Sequence, residues 1–141
     1  MNVVRFTARV MTGVTYGVLG ADAARQPGGR VDMAAPLLSK IRKVAPLPDD
    51  EAVVRTNGAV QAAAGAAMAL GIAPRSSAMT LAVSLVPTTI AGHAFWEIED
   101  PQARKLQRTQ FLKNVAMIAG LLFGALGDDN SVLAVPPKTW R

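Results

Sequence analysis

The stretch SSAMTLAVSLVPTTIAGHAFW, residues 76–96, carries no formal charge from end to end. At 1.5 Å per residue a helix of this length reaches about 30 Å, the thickness of a bilayer's hydrocarbon core. It predicts a transmembrane helix, and the rest of the chain is read outward from it. Residues 56–74 form a second uncharged run, bracketed by Arg55 and Arg75. This run is rich in alanine and glycine, inserts weakly alone and needs neighbours. A first apolar span, 7–24, has Arg9 near one end and Asp22 near the other, where side chains snorkel to the interface. A fourth, 111–127, is short and holds Lys113 near its start, which fits a locally thinned bilayer. The spans predict an all-α polytopic membrane protein: a four transmembrane helix bundle in the cell membrane. A soluble helical bundle is the alternative, because alanine-rich segments also make buried helices.

Composition bounds the reading. The 141 residues suit one domain, 1–141. Half are hydrophobic and 18% are charged, below the roughly 25% of soluble domains. The mean hydropathy is +0.25. A net charge of +5 raises nucleic acid as a partner, but the basic residues flank apolar blocks and aromatics make up only 5%. No nucleic-acid partner is expected. The absence of cysteine removes disulfides, thiol nucleophiles and iron–sulfur ligation. Arg5 and Arg9 ahead of an apolar run resemble a signal peptide, yet Gly20-Ala21-Asp22-Ala23 is a poor cleavage site. The first span is therefore expected to be a retained helix.

Small residues recur at four-residue spacing: Gly13 and Gly17; Ala63, Ala67 and Gly71; Gly120 and Gly124. This pattern lets membrane helices approach closely. The linker 25–54 contains Pro27-Gly28-Gly29 and Pro46-Leu47-Pro48, both turn formers. Within it Met33, Leu37, Leu38 and Ile41 fall near helical spacing beside Lys40, Arg42 and Lys43. They predict an amphipathic linker helix, either on the membrane surface or covering the bundle end. Asp49, Asp50 and Glu51 mark the start of the second long helix. With four spans, the linkers after the first and third share one side and hold ten Lys and Arg, against five on the other. The positive-inside rule puts the linkers in the cytoplasm, although Arg5 and Arg9 argue the opposite way.

That topology gathers polar residues at one membrane face. Asp22 and Arg25 close the first span, Arg55, Asn57 and Gln61 open the second, His93, Trp96, Glu97 and Glu99 close the third, and Lys113 and Asn114 open the fourth. Ionisable groups at membrane depth mark functional sites unless they serve as interfacial anchors. His93, the sole histidine, has two readings: a hydrogen-bonded structural residue, or a proton relay to a quinone-like headgroup. One histidine cannot build a bis-histidine haem, a His93–Met117 axial pair is disfavoured, and no metal cluster is visible. Pro87, followed by Thr88 and Thr89, predicts a kink compensated by hydroxyls or neighbouring helices.

The ordered motifs Gly20-Ala21-Asp22 with Arg25 and Pro27, Arg55-Thr56-Asn57-Gly58-Ala59-Val60-Gln61, Leu85-Val86-Pro87-Thr88-Thr89, Gly92-His93-Ala94-Phe95-Trp96, Asp100-Pro101 with Arg104, and Phe111-Leu112-Lys113-Asn114 span nearly the whole chain. In this order they resemble the DoxX family of small bacterial membrane proteins, in its actinobacterial, mycobacterial branch. The resemblance implies a four-helix membrane subunit linked to quinone-dependent oxidation of sulfur compounds. It also implies a membrane complex with superoxide dismutase and a sulfurtransferase that resists oxidative stress. It carries no agreed catalytic residue. The positions matching its pattern, Asp22, Arg25, Asn57, Gln61, His93, Trp96, Lys113 and Asn114, form a candidate ligand pocket, with quinone as the possible cofactor. Many members carry a longer basic tail than Pro136-Pro137-Lys138-Thr139-Trp140-Arg141, so surface binding through the tail is not expected here. Two roles follow: a non-catalytic subunit or scaffold of a redox complex, or a quinone-reactive oxidoreductase subunit with His93 as relay and Lys113 or Arg25 beside the headgroup. Membrane lipid, other subunits and further copies of the chain are the expected partners.

Overall fold

Runs of alanine, valine and leucine become helix in this chain, and glycine, proline and aspartate set the ends. A computed structural model describes residues 3–126, all-helical with no strand among them. The elements are α1 (Val3–Arg25), α2 (Arg30–Arg42), α3 (Asp50–Leu70), α4 (Pro74–Gly92), a single 3-10 turn (Phe95–Glu97) and α5 (Pro101–Leu126). Asp49 caps α3: its Oδ1 accepts the Ala52 N–H at 2.9 Å, and Asp50 and Glu51 follow at the positive end of the helix dipole. Gly71 ends α3 at φ 79°, and the Ile72 N–H reaches back to the Ala67 carbonyl at 2.8 Å. A side chain at this φ would be strained, so glycine is the natural closing residue. Pro74 then opens α4 at a position where a missing N–H costs nothing.

The long helices form a row, α1 on α3, α3 on α4, α4 on α5. The contact between α1 and α3 is antiparallel and the most extensive. A Cβ on Gly13 would lie 2.5 Å from the Ala69 nitrogen, and one on Gly58 2.7 Å from the Ala24 nitrogen. Gly20 and Gly65 likewise have no room for a Cβ against the facing backbone. The two helices thus touch backbone to backbone, with glycine every seventh residue on each. The core gathers where the row turns: Tyr16, Ala64, Met68, Ala78, Leu81, Ala82, Leu85 and Leu121. Helix α2 lies across one end, touches α3 and α4, and buries Leu38. The outer helices, α1 and α5, barely meet, through the Tyr16 hydroxyl and Met117 Sδ at 3.6 Å.

Several sequence expectations shift. The close seam uses seven-residue spacing, and of the four-residue pairs only Gly13 is in it. A Cβ on Gly17 would stand an ordinary 3.8 Å from the Ala66 nitrogen, Ala63 is exposed, and a Cβ on Gly120 would meet nothing within 4 Å. A small residue permits close approach only where its face meets a partner. The helix predicted over 76–96 begins at Pro74 and stops at Gly92, with His93 as its C-cap at φ −135°. Uncharged sequence continues past that point, but the chain reverses there so that Phe95 and Trp96 can stack edge-on against Phe111, at 5.5 and 5.7 Å. Helix α5 starts ten residues before the predicted 111, because Asp100 Oδ2 caps it at Ala103 (2.7 Å) and hydropathy is blind to a charged helical turn. Helix α4 continues through Pro87, and the Thr88 hydroxyl donates to the Ser84 carbonyl at 3.0 Å. Gly127 and residues 136–141 lie outside the described residues.

Two stretches are long and apolar enough to cross a membrane, Pro74–Glu97 and Pro101–Leu126, each holding an 18-residue window of mean hydropathy 1.4. The windows differ in burial, a third of the first but 6% of the second. Leu106, Leu112, Val115, Leu122, Phe123 and Leu126 all project outward from α5.

Candidate functional site

The predicted polar end resolves into separate arrangements. On α3, Asn57 and Gln61 are one turn apart; on α4, Ser84 and Thr88 are too. Asn57 joins the pairs: its Nδ2 donates to Thr88 Oγ1 at 3.0 Å, and its Oδ1 accepts the Ser84 hydroxyl at 2.7 Å. One residue on, the buried Thr89 Oγ1 accepts from Asn114 Nδ2 of α5 at 3.2 Å. Amides and hydroxyls thus stitch α3, α4 and α5 together without a charge. Such neutral bonds hold apolar helices in register at about 0.6–1.7 kcal/mol each. Gln61 is buried, and its Nε2 has no hydrogen-bond partner among the described residues.

His93 leaves the end of α4 and its Nδ1 meets Gln107 Oε1 of α5 at 2.7 Å, a half-buried bond that fixes the ring. The geometry matches its structural reading. Trp96, half exposed, belongs to the aromatic trio with Phe95 and Phe111. Asp22, Arg25 and Lys113 are exposed, and among the described residues their side chains make no hydrogen bond or ion pair. The cation active at this end is Arg55, which the sequence places in the polar cluster but not among the eight pocket positions. Arg55 Nη1 donates to the carbonyls of Ala24 at 2.6 Å and Arg25 at 3.0 Å, capping the C-terminus of α1, while Glu51 pairs with its other edge at 2.7 Å. Lys40 with Glu97 at 3.3 Å and Arg42 with Asp50 at 2.6 Å tie α2 down.

A quinone ring needs a cleft, and drug-sized ligands occupy about 300–1,000 Å³. Of the eight residues only Trp96 lines either of the two principal cavities, and the one it lines holds about 80 Å³, between α2 and the end of α4. The eight residues do not converge on one of these two cavities. Among the described residues no group of three or more His, Cys, Asp or Glu side chains gathers either. The hydrogen bonds at this end tie α3, α4 and α5 together.

The larger cavity, about 890 Å³, lies at the opposite end, between α1 and α5. Met68 and Ala78 line it from α3 and α4, and Arg5, Arg9 and Arg75 stand around it. In the sequence these arginines mark span ends, a signal-peptide-like start and a charge count, and none stands among the candidate site residues. Their convergence was legible in part, since Arg9 and Arg75 bracket spans at one end of the bundle. Comparisons with protein-family models, curated proteins and solved structures return no match to this chain.

Proposed function

We propose that the chain is a four-span integral membrane subunit of the cell membrane, a non-catalytic scaffold that anchors partners of a redox or oxidative-stress complex. One observation carries the membrane reading: α5 is apolar enough to cross a bilayer and only 6% of its most apolar window is fully buried, whereas an equally apolar helix of a soluble protein fills a core. The glycine seam supports two further spans, because α1 and α3 associate by backbone contact, the route open to helices whose surroundings are as apolar as their side chains. The neutral ladder through Asn57 and Asn114 suits the same setting. The resemblance to the DoxX family supports redox partners, a superoxide dismutase and a sulfurtransferase, docked on the cytoplasmic linkers.

The cysteine-free chain makes the test direct. Single cysteines at Ser39, Ile72 and Gln102 are probed in intact cells with a membrane-impermeant maleimide. Ile72→Cys is expected to label, and Ser39→Cys and Gln102→Cys only after permeabilisation. Release of the protein by alkaline wash would end the membrane reading. The scaffold role predicts that the two soluble enzymes co-purify in stoichiometric amount from native membrane; purification of the chain alone would overturn it.

A further inference from the structure

The seam between α1 and α5 is where the row of helices fails to close, and its two ends differ in chemistry. Its walls are apolar: Met11 from α1 and Met117, Leu121 and Phe123 from α5. Its rim is cationic. Arg5 and Arg9 come from α1 and Arg75 from the first turn of α4, and no acidic side chain lines the cavity among the described residues. Arg9 is the best built of the three. Its guanidinium occupies the space a side chain at Gly71 would take, 2.5 Å from that absent Cβ, and stands 5.6 Å over the Phe6 ring. Its Nε is buried and has no hydrogen-bond partner among the described residues. A buried guanidinium N–H without an acceptor is costly, and the acceptor it is suited to is an anionic oxygen. On α5, Gly120 and Gly124 face the cavity and hold it open; a Cβ on Gly120 would meet nothing within 4 Å.

We propose that this seam is a binding site for an anionic phospholipid, with the phosphate on Arg9 and Arg75 and an acyl chain along the α1–α5 walls. The site rests on the membrane reading above. In that setting the cavity opens sideways to the acyl chains and its arginines stand at headgroup level on the side of the α3–α4 turn, where guanidinium groups pair with lipid phosphate. The lipid closes the row of helices that Tyr16 and Met117 close at a single point.

The test is native mass spectrometry of the full chain in mild detergent, given dioleoyl phosphatidylglycerol and dioleoyl phosphatidylcholine in equal amounts. The wild type is expected to retain the anionic lipid about tenfold over the zwitterionic one, a conservative fraction of what two or three arginines supply at a membrane surface. The double variant Arg9→Gln/Arg75→Gln should bring the two lipids within about twofold of each other. Gly120→Leu, which fills the seam at an exposed position, should lower retention of both while the helical circular dichroism stays unchanged. Equal retention by the wild type overturns the site, as does a preference that survives the double variant. Displacement by a neutral isoprenoid quinone, or a cross-linked dimer through Gly120→Cys that excludes lipid, assigns the seam to another occupant and also overturns it. A chain that is soluble and monomeric without detergent and retains neither lipid removes the membrane reading itself, an outcome distinct from equal retention.

Discussion

Helix α1 has two seams, and they are opposites. Against α3 it offers glycines so close to the facing backbone that no side chain fits, whereas against α5 it offers Met11, Tyr16 and Arg9 around an open cavity. Small residues occur on both sides, since Gly120 and Gly124 face the open seam much as Gly13 and Gly20 face the closed one. What separates the seams is what stands opposite. At the closed seam glycine meets glycine or alanine on both helices; at the open one a Cβ on Gly120 would meet nothing within 4 Å and one on Gly124 only the Ala78 Cβ at 3.9 Å. The first geometry gives rigidity and the second gives room.

The largest effect should come from wedging the closed seam. Gly65→Leu must push the facing backbone of α1 away, and a loss of about 3–5 kcal/mol is expected, read as detergent-titrated unfolding followed by circular dichroism. A loss below about 1 kcal/mol would mean the seam yields, and the contrast with α5 would vanish. Next comes the polar ladder. Asn57→Ala deprives Ser84 of its acceptor and Thr88 of its donor, so the same assay should lose about 1–2 kcal/mol, and Asn57→Asp should not restore it because Oδ2 cannot donate when ionised. Gly17→Ala sharpens the comparison within a single helix. Its Cβ would meet ordinary contacts at 3.8 Å, so up to about 1 kcal/mol of helix propensity should be gained, four residues from a position where alanine is forbidden. Destabilisation by Gly17→Ala would show that the whole face of α1 is closed. Smallest is Lys40→Ala, which removes an ion pair whose side chains are 67% and 49% exposed; a change under about 0.5 kcal/mol is expected.

The helical class of the chain was legible because charge, glycine and proline punctuate it so regularly. Asp49 as the start of α3 could be read from three acidic residues in a row, and the helix α2 from the spacing of Met33, Leu37, Leu38 and Ile41. Helix ends inside uncharged sequence could not. Nothing local distinguishes Gly92-His93 from the apolar run before it, and the reversal there is set by aromatic stacking onto Phe111 of another helix. The four-residue pattern of small residues was equally silent about which copies meet a partner, since facing is a property of two helices and spacing of only one. At the polar end the sequence identified Asn57, Asn114 and His93 as residues with a task. It could not see that their partners are Ser84, Thr89 and Gln107, three ordinary side chains that become informative only through distance.

The turn between α3 and α4 spans only residues 71–73, and its brevity has a consequence for biogenesis. On the proposed four-span reading, two helices joined so tightly enter a bilayer as one hairpin, the more apolar α4 carrying the alanine-rich α3 with it. Helix α1 is synthesised earlier, and its glycine face has no partner until α3 emerges about 50 residues later. At ~5–20 residues per second that delay is roughly 3–10 s. For those seconds the nascent first helix, a span on that reading, has a bare groove down one side. A chaperone or insertase that shields such a groove would govern how much of the chain reaches its folded form.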